Sequence, residues 1–215
     1  MDLLQQIYNI GIIPVIKIEK PEEDAYDLAK ALCDGGVPVA EVTFRTEGAA
    51  RGIQIMREGF PDMLVGVGTI FTTDQAKQAI SAGAKFIVSP GFDQEVVAYC
   101  KGQGIPIFPG CITPTEIQMA IKEGLSIIKF YPAEQSGGLN TIKALSAPFG
   151  SVKFMPTGGI SLENLGAYLA HRAIIACGGS YMVTDELILN KKWDEITHLC
   201  EKSVEVVNEI RNLKM

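Results

Sequence analysis

Eight short runs rich in β-branched and aromatic residues recur along the chain, starting at positions 12, 39, 64, 86, 106, 126, 153 and 173, and stretches with helical periodicity lie between them. The starts advance by about 23 residues on average, which leaves room for one strand, one short helix and two tight loops per unit. Strands are therefore expected at 12–18, 39–44, 64–69, 86–90, 106–110, 126–132, 153–159 and 173–179. Amphipathic stretches such as 21–33, 72–82, 114–123 and 161–170 read as helices, several opened by an N-cap or first-turn residue: Thr72 or Thr73, Thr113 before Pro114, and Ser161. Alternation of this kind demands right-handed parallel crossovers, and eight units are the number that closes a (β/α)8, or TIM, barrel. An open doubly wound sheet is the rival, but it would usually carry a Gly-rich dinucleotide loop after its first strand. Here that strand runs into Glu19-Lys20-Pro21-Glu22. The expected fold is thus α/β, a single (β/α)8 barrel domain over residues 1–215, with an extra N-terminal helix (1–10) across the bottom and a helix at 193–213 completing the outer ring.

Composition narrows the partners. The chain is 47% apolar and 20% charged with no low-complexity tract or linker, so its whole length should be ordered. The net charge is −6 and the lysines are scattered, which argues against nucleic acid or an anionic membrane surface as a partner. No basic leader opens the chain, and no apolar stretch approaches the roughly 18 residues of a membrane span; a cytoplasmic location is expected. Five cysteines, odd in number and never spaced C-x-x-C, indicate buried thiols in place of disulfides or zinc. His171 and His198, both expected on helices, give a metal site little to work with. Neither a metal nor a cofactor is expected.

Within this frame one side chain sits where it is costly. In Ser126-Ile127-Ile128-Lys129-Phe130-Tyr131-Pro132 a lysine lies in the middle of a buried strand. A lone buried ammonium tends to lose its proton, and a neutral amine is a nucleophile for carbonyl carbon. Barrel chemistry sits at the C-terminal strand ends, which favours Lys129 over Lys85 and Lys153 at strand starts; Lys17 is the competitor, although charged neighbours draw it towards solvent. In the second run, the period of two puts Glu41, Thr43 and Arg45 on one face and Val42 and Phe44 on the other. The apolar face must meet helices, so the polar face points inward, where branched aliphatics are the rule. Three polar residues facing a lumen mark a candidate site; the alternative is a Glu41–Arg45 or Glu41–Lys129 ion pair that merely satisfies buried charge. The third run ends Val67-Gly68-Thr69 and the fourth Ser89-Pro90-Gly91, small residues that let a ligand approach the backbone. Gly158-Gly159 after the seventh run and Gly178-Gly179-Ser180 at the eighth expose amides where β/α barrels often hold phosphate.

Taken together, Pro14-Val15-Ile16, Glu41 to Thr46, Val67-Gly68-Thr69, Ser89-Pro90-Gly91, Lys129 to Glu134, Pro156 to Ile160 and Gly178-Gly179-Ser180 make the chain similar to the bacterial 2-keto-3-deoxy-6-phosphogluconate (KDPG) aldolases, a family also active on 4-hydroxy-2-oxoglutarate. The resemblance runs along nearly the whole chain. It implies a class I aldolase in which Lys129 forms a Schiff base with pyruvate or the substrate ketone and Glu41 relays protons. It also implies that Arg45 and Thr69 hold the pyruvyl carboxylate with the backbone near Pro90, that Gly158, Gly159, Gly179 and Ser180 take the phosphate, and that the enzyme is a homotrimer. The partners would be a phosphorylated 2-keto-3-deoxy sugar acid and pyruvate. Departures at Cys111-Ile112 and Gln135-Ser136 bear on which aldehyde is accepted. Three rivals remain at this stage: a phosphate-binding epimerase or isomerase, a metal-dependent aldolase, and a non-catalytic subunit that binds sugar acids.

Overall fold

The structure, a computed structural model, describes residues 2–212. Among the described residues the strands are β1 (Ile12–Ile16), β2 (Val39–Thr43), β3 (Leu64–Gly68), β4 (Ile87–Val88), β5 (Ile107–Phe108), β6 (Ile127–Phe130), β7 (Lys153–Pro156) and β8 (Cys177–Gly179). The α-helices are α1 (Leu3–Ile10), α2 (Pro21–Asp34), α3 (Ala49–Gly59), α4 (Thr73–Ser81), α5 (Gln94–Gly102), α6 (Pro114–Lys122), α7 (Gly138–Ser146), α8 (Leu162–Leu169), α9 (Asp185–Leu189) and α10 (Trp193–Asn212). The expected alternation is present. The ends of helices 1–10 and 193–213, Met1 and Leu213, lie outside the described residues.

All the pairings are parallel. Six strands form a curled sheet in the order β5-β4-β3-β2-β1-β8, and β6 pairs with β7. A parallel bridge between Gly110 and Lys129 joins β6 to the chain after β5, and bridges Phe154–Ile174 and Thr157–Gly178 join the β7 side to β8. The architecture is α/β, with helices packed on the outside of a curled parallel sheet.

Several strands are shorter than their runs. β4 and β5 hold two residues each because Pro90, Pro106 and Pro109 remove ladder donors around them. β7 stops at Pro156 because Gly158 and Gly159 take φ of 97° and 79°, turning the chain out of the sheet. β8 begins at Cys177, with Ile174 contributing only a bridge.

Local signals start the helices as expected. Thr72 caps α4 through Gln75 N–H, and Thr113 with Glu116 forms a capping box on α6 with Pro114 at its first position. Ser161 and Asn164 form another on α8. Asp2 caps α1, and Leu4 of that helix borders the same hollow as Pro106 and Ile127 near strand starts, so α1 lies at the bottom. His171 falls just past α8, not on it.

The core forms where strand side chains meet helices. Ile16, Val42, Phe130 and Phe154 are fully buried, and the last two rings meet edge to face at 6.4 Å. No helix among the described residues is long and apolar enough to cross a membrane.

Candidate active site

Lys129 is third in β6, where Ile128 and Phe130 take the helix side of the strand and leave its own side chain to the interior. Both of its backbone groups are held by the chain after β5: Lys129 N–H donates to Pro109 O (2.9 Å) and Cys111 N–H donates to Lys129 O (2.9 Å). The side chain is only 7% exposed, and Nζ stands 3.3 Å from Oε1 of Glu41, whose side chain is 1% exposed. Tyr131 covers the ammonium at 5.2 Å from its ring centre. The other carboxylate oxygen, Glu41 Oε2, is buried with no protein partner, and so is Thr157 Oγ1. Leaving such an acceptor unmet costs about 1–3 kcal/mol, which a polar substrate group can offset.

The polar face read from the second run is present. Glu41, Thr43 and Arg45 border the same cavity, of about 270 Å³, as Lys129. Arg45 lies past the end of β2, yet it is steered back: its Nε donates to Thr43 Oγ1 (3.2 Å), and that hydroxyl donates to Ile16 O (2.8 Å). Anchoring through Nε leaves the two terminal nitrogens to meet a carboxylate side on. Thr69 and Pro90 border the cavity too. Thr69 adopts φ 63°, a left-handed conformation unusual for a β-branched residue and characteristic of ligand sites.

The glycines expected to hold phosphate do not border this cavity. Ser180 borders an adjoining hollow of about 430 Å³, which shares Val15 and Arg45 with the first and also includes Lys17 and Asp185. Gly158 packs against the backbone of Pro132 and Ala133, and Gly159 against the stem of Glu134. Gly179 is buried beside Tyr181 and Ile12. Lys17 pairs with Glu19, which raises its pKa and keeps it an ammonium, a poor nucleophile. Cys111, next to the Lys129 backbone, is no rival either, since burial pushes its thiol up to about 12.

Sequence reading gave no role to Thr43 as an anchor for Arg45, or to Tyr131 and Thr157, which border the same cavity. A hydroxyl next to Gly158-Gly159 was the available signal for Thr157. Among the described residues no group of three His, Cys, Asp or Glu side chains converges as a metal site would.

Two glycines of β3 distinguish a packing defect from a displaced site carboxylate. A Cβ on Gly66 would lie 2.2 Å from the Phe86 ring, a buried group with nowhere to go, whereas one on Gly68 would lie 2.0 Å from Glu41 Oε1 and displace the carboxylate. We expect Gly66→Ala to lose about 1–3 kcal/mol in chemical unfolding. Gly68→Ala should lose stability too, because it displaces a carboxylate buried beside Lys129, and in addition lose about 100-fold in kcat, the scale of a 1 Å misplacement of a reacting group. Normal kcat in Gly68→Ala would show that the position of Glu41 is unimportant.

Comparison with known proteins gives the same direction. The profile of the family "KDPG and KHG aldolase" matches residues 4–199. The 2-dehydro-3-deoxy-phosphogluconate aldolase of Treponema pallidum is 45% identical over 205 residues, 95% of this chain and 97% of its own. The protein of the same name from Haemophilus influenzae is 41% identical, over 95% of this chain and 96% of its own. The crystal structure of KDPG aldolase from Legionella pneumophila, with pyruvate captured at low pH as a covalent carbinolamine intermediate, superposes with a TM-score of 0.89 at 38% identity, covering 93% of this chain and 97% of that one. With the profile spanning most of the chain and such relatives matching it nearly end to end, the chain belongs to the KDPG and KHG aldolase family.

Proposed function

We propose that this protein is a class I pyruvate aldolase, a lyase that cleaves 2-keto-3-deoxy-6-phosphogluconate to pyruvate and glyceraldehyde 3-phosphate. The observation that carries the reading is the buried pair of Lys129 Nζ and Glu41 Oε1, 3.3 Å apart at one cavity. The names of the relatives and the pyruvate adduct of the Legionella pneumophila enzyme support it. Cleavage of 4-hydroxy-2-oxoglutarate to pyruvate and glyoxylate fits the same chemistry and the family description.

In this reading the neutral Lys129 amine adds to the substrate C2 carbonyl, giving a carbinolamine whose hydroxyl, protonated by Glu41 or water, leaves as water, so that a protonated imine remains. Glu41 takes the proton of the C4 hydroxyl, directly or through one water. The C3–C4 bond then breaks, its electron pair moving towards the iminium to give an enamine, and the aldehyde leaves. Glu41 returns a proton towards C3, and hydrolysis of the resulting imine frees pyruvate and the amine. Arg45, Thr69 and the backbone at Pro90 hold the pyruvyl carboxylate, and Gly158, Gly159, Gly179 and Ser180 the phosphate. Residues 1–215 then act as one catalytic domain, the two sheets closing through the bridges at Lys129 and Thr157 into a (β/α)8 barrel. A homotrimer belongs to this reading.

Borohydride added with pyruvate tests the core of the proposal. A reduced pyruvyl adduct mapping to Lys129 by peptide mass is expected. Turnover of a sugar phosphate with Lys129 unlabelled would favour an epimerase or isomerase instead.

A further inference from the structure

The chain that leaves Lys129 carries a second carboxylate with an unusual set of neighbours. Glu134 opens the one-turn 3-10 helix Glu134–Ser136, and Oε1 accepts a hydrogen bond from the Tyr168 hydroxyl of α8. Tyr168 is 2% exposed; burial first and the carboxylate second push its phenol well above the ordinary range, so it remains a donor. Between these two ends the stem of Glu134 lies against Gly159, where an added Cβ would come within 2.4 Å of Cγ. At Gly138 an added Cβ would be 3.0 Å from both Glu134 Oε1 and the Tyr168 hydroxyl, so α7 closes over the bond.

The backbone of the same segment holds the glycine loop. Ala133 N–H donates to Thr157 O (2.8 Å) and Glu134 N–H to Gly158 O (3.1 Å), while Asn164 Nδ2 donates to Gly159 O (2.9 Å). With three successive carbonyls tied back, a ligand arriving at this loop meets its amides. Both glycines have positive φ, the conformation that lets successive amides turn towards an anion. An otherwise exposed glutamate therefore joins the segment after the nucleophile, the helix α8 and the Gly158-Gly159 turn.

We propose that Glu134 is a positioning residue that, braced by Tyr168, sets the shape of the Gly158-Gly159 loop and through it the grip on the phosphate end of the substrate. This rests on the assignment of phosphate to that loop under the proposed function. Glu134 touches no reacting atom in this account, so its loss should weaken binding of one end of the substrate and spare the chemistry at the other.

The experiment compares Glu134→Ala, Glu134→Gln and Tyr168→Phe with the unaltered enzyme on a phosphorylated and an unphosphorylated 2-keto-3-deoxy acid. Exchange of pyruvate methyl protons with deuterated solvent serves as a phosphate-independent readout. Glu134→Ala should raise KM for the phosphorylated acid about tenfold or more, as loss of a hydrogen bond to a charged acceptor does, with kcat and pyruvate exchange little changed. Glu134→Gln, which keeps an accepting oxygen, should recover most of that loss, and Tyr168→Phe should reproduce part of it. If the altered enzymes retain the full preference for the phosphorylated acid, or lose pyruvate exchange in proportion, the positioning role is wrong. If the unaltered enzyme itself shows no preference, the phosphate assignment fails first and takes this proposal with it.

Discussion

Lys129→Met is expected to lower turnover by about 10⁴- to 10⁶-fold, the scale on which loss of a covalent nucleophile acts, with secondary structure unchanged by circular dichroism. Methionine matches the length of the lysine stem and suits its apolar strand neighbours Ile128 and Phe130. It also leaves Glu41, 1% exposed, without the cation 3.3 Å away. Breaking a buried pair from one side typically costs about 3–5 kcal/mol because the remaining charge is uncompensated. Unfolding by urea should therefore show a large loss of stability alongside the loss of activity, which alone would leave the two causes tangled. The double variant Lys129→Met/Glu41→Gln separates them: removing the stranded charge should restore most of the stability while turnover stays at background. An enzyme with Lys129 replaced that still turned over within tenfold of normal would end the Schiff-base assignment.

How far such a site can be read in advance depends on whether its residues break a local pattern. Lys129 interrupts an apolar strand and Glu41 faces an interior that strands normally fill with aliphatics, so both are visible as violations of a period of two. The eight-unit alternation was visible for the same reason. Strand lengths were not, because two residues of ladder survive between prolines at β4 and β5 only where the neighbouring strands supply register, as Ile87 finds from Ile107. Arg45 was placed on the right face by counting, although what points it at the cavity is Thr43, a residue that would look ordinary in any strand. The bond from Tyr168 to Glu134 spans 34 residues and two elements. Nothing local to either residue announces it, since both sit in helical turns where their types are common.

Glu41→Gln is the second large effect, and it should divide the reaction instead of abolishing it. Glutamine preserves the shape of a side chain packed within 2.0 Å of where a Gly68 Cβ would lie, and it keeps an accepting oxygen for Lys129 Nζ. What it cannot do is take a proton from a hydroxyl or give one to an enamine carbon. General acid–base catalysis is worth about 10²–10⁴-fold, so kcat for cleavage should fall by that order. Exchange of pyruvate methyl protons should fall by a similar factor, because forming the enamine from the pyruvate imine needs the same transfer. Adding the amine to the C2 carbonyl does not use the C3 or C4 protons, so borohydride should still trap pyruvate on Lys129, more slowly at most by the factor that dehydration of the carbinolamine depends on the carboxylate. The orphaned oxygen of Glu41 sharpens the distinction: Oε2, buried with no protein partner, is the atom available to a substrate hydroxyl, while Oε1 is committed to the lysine. Loss of trapping and of exchange by equal factors would mean that the carboxylate serves imine formation alone, and the assignment of carbon proton transfer to Glu41 would have to be abandoned.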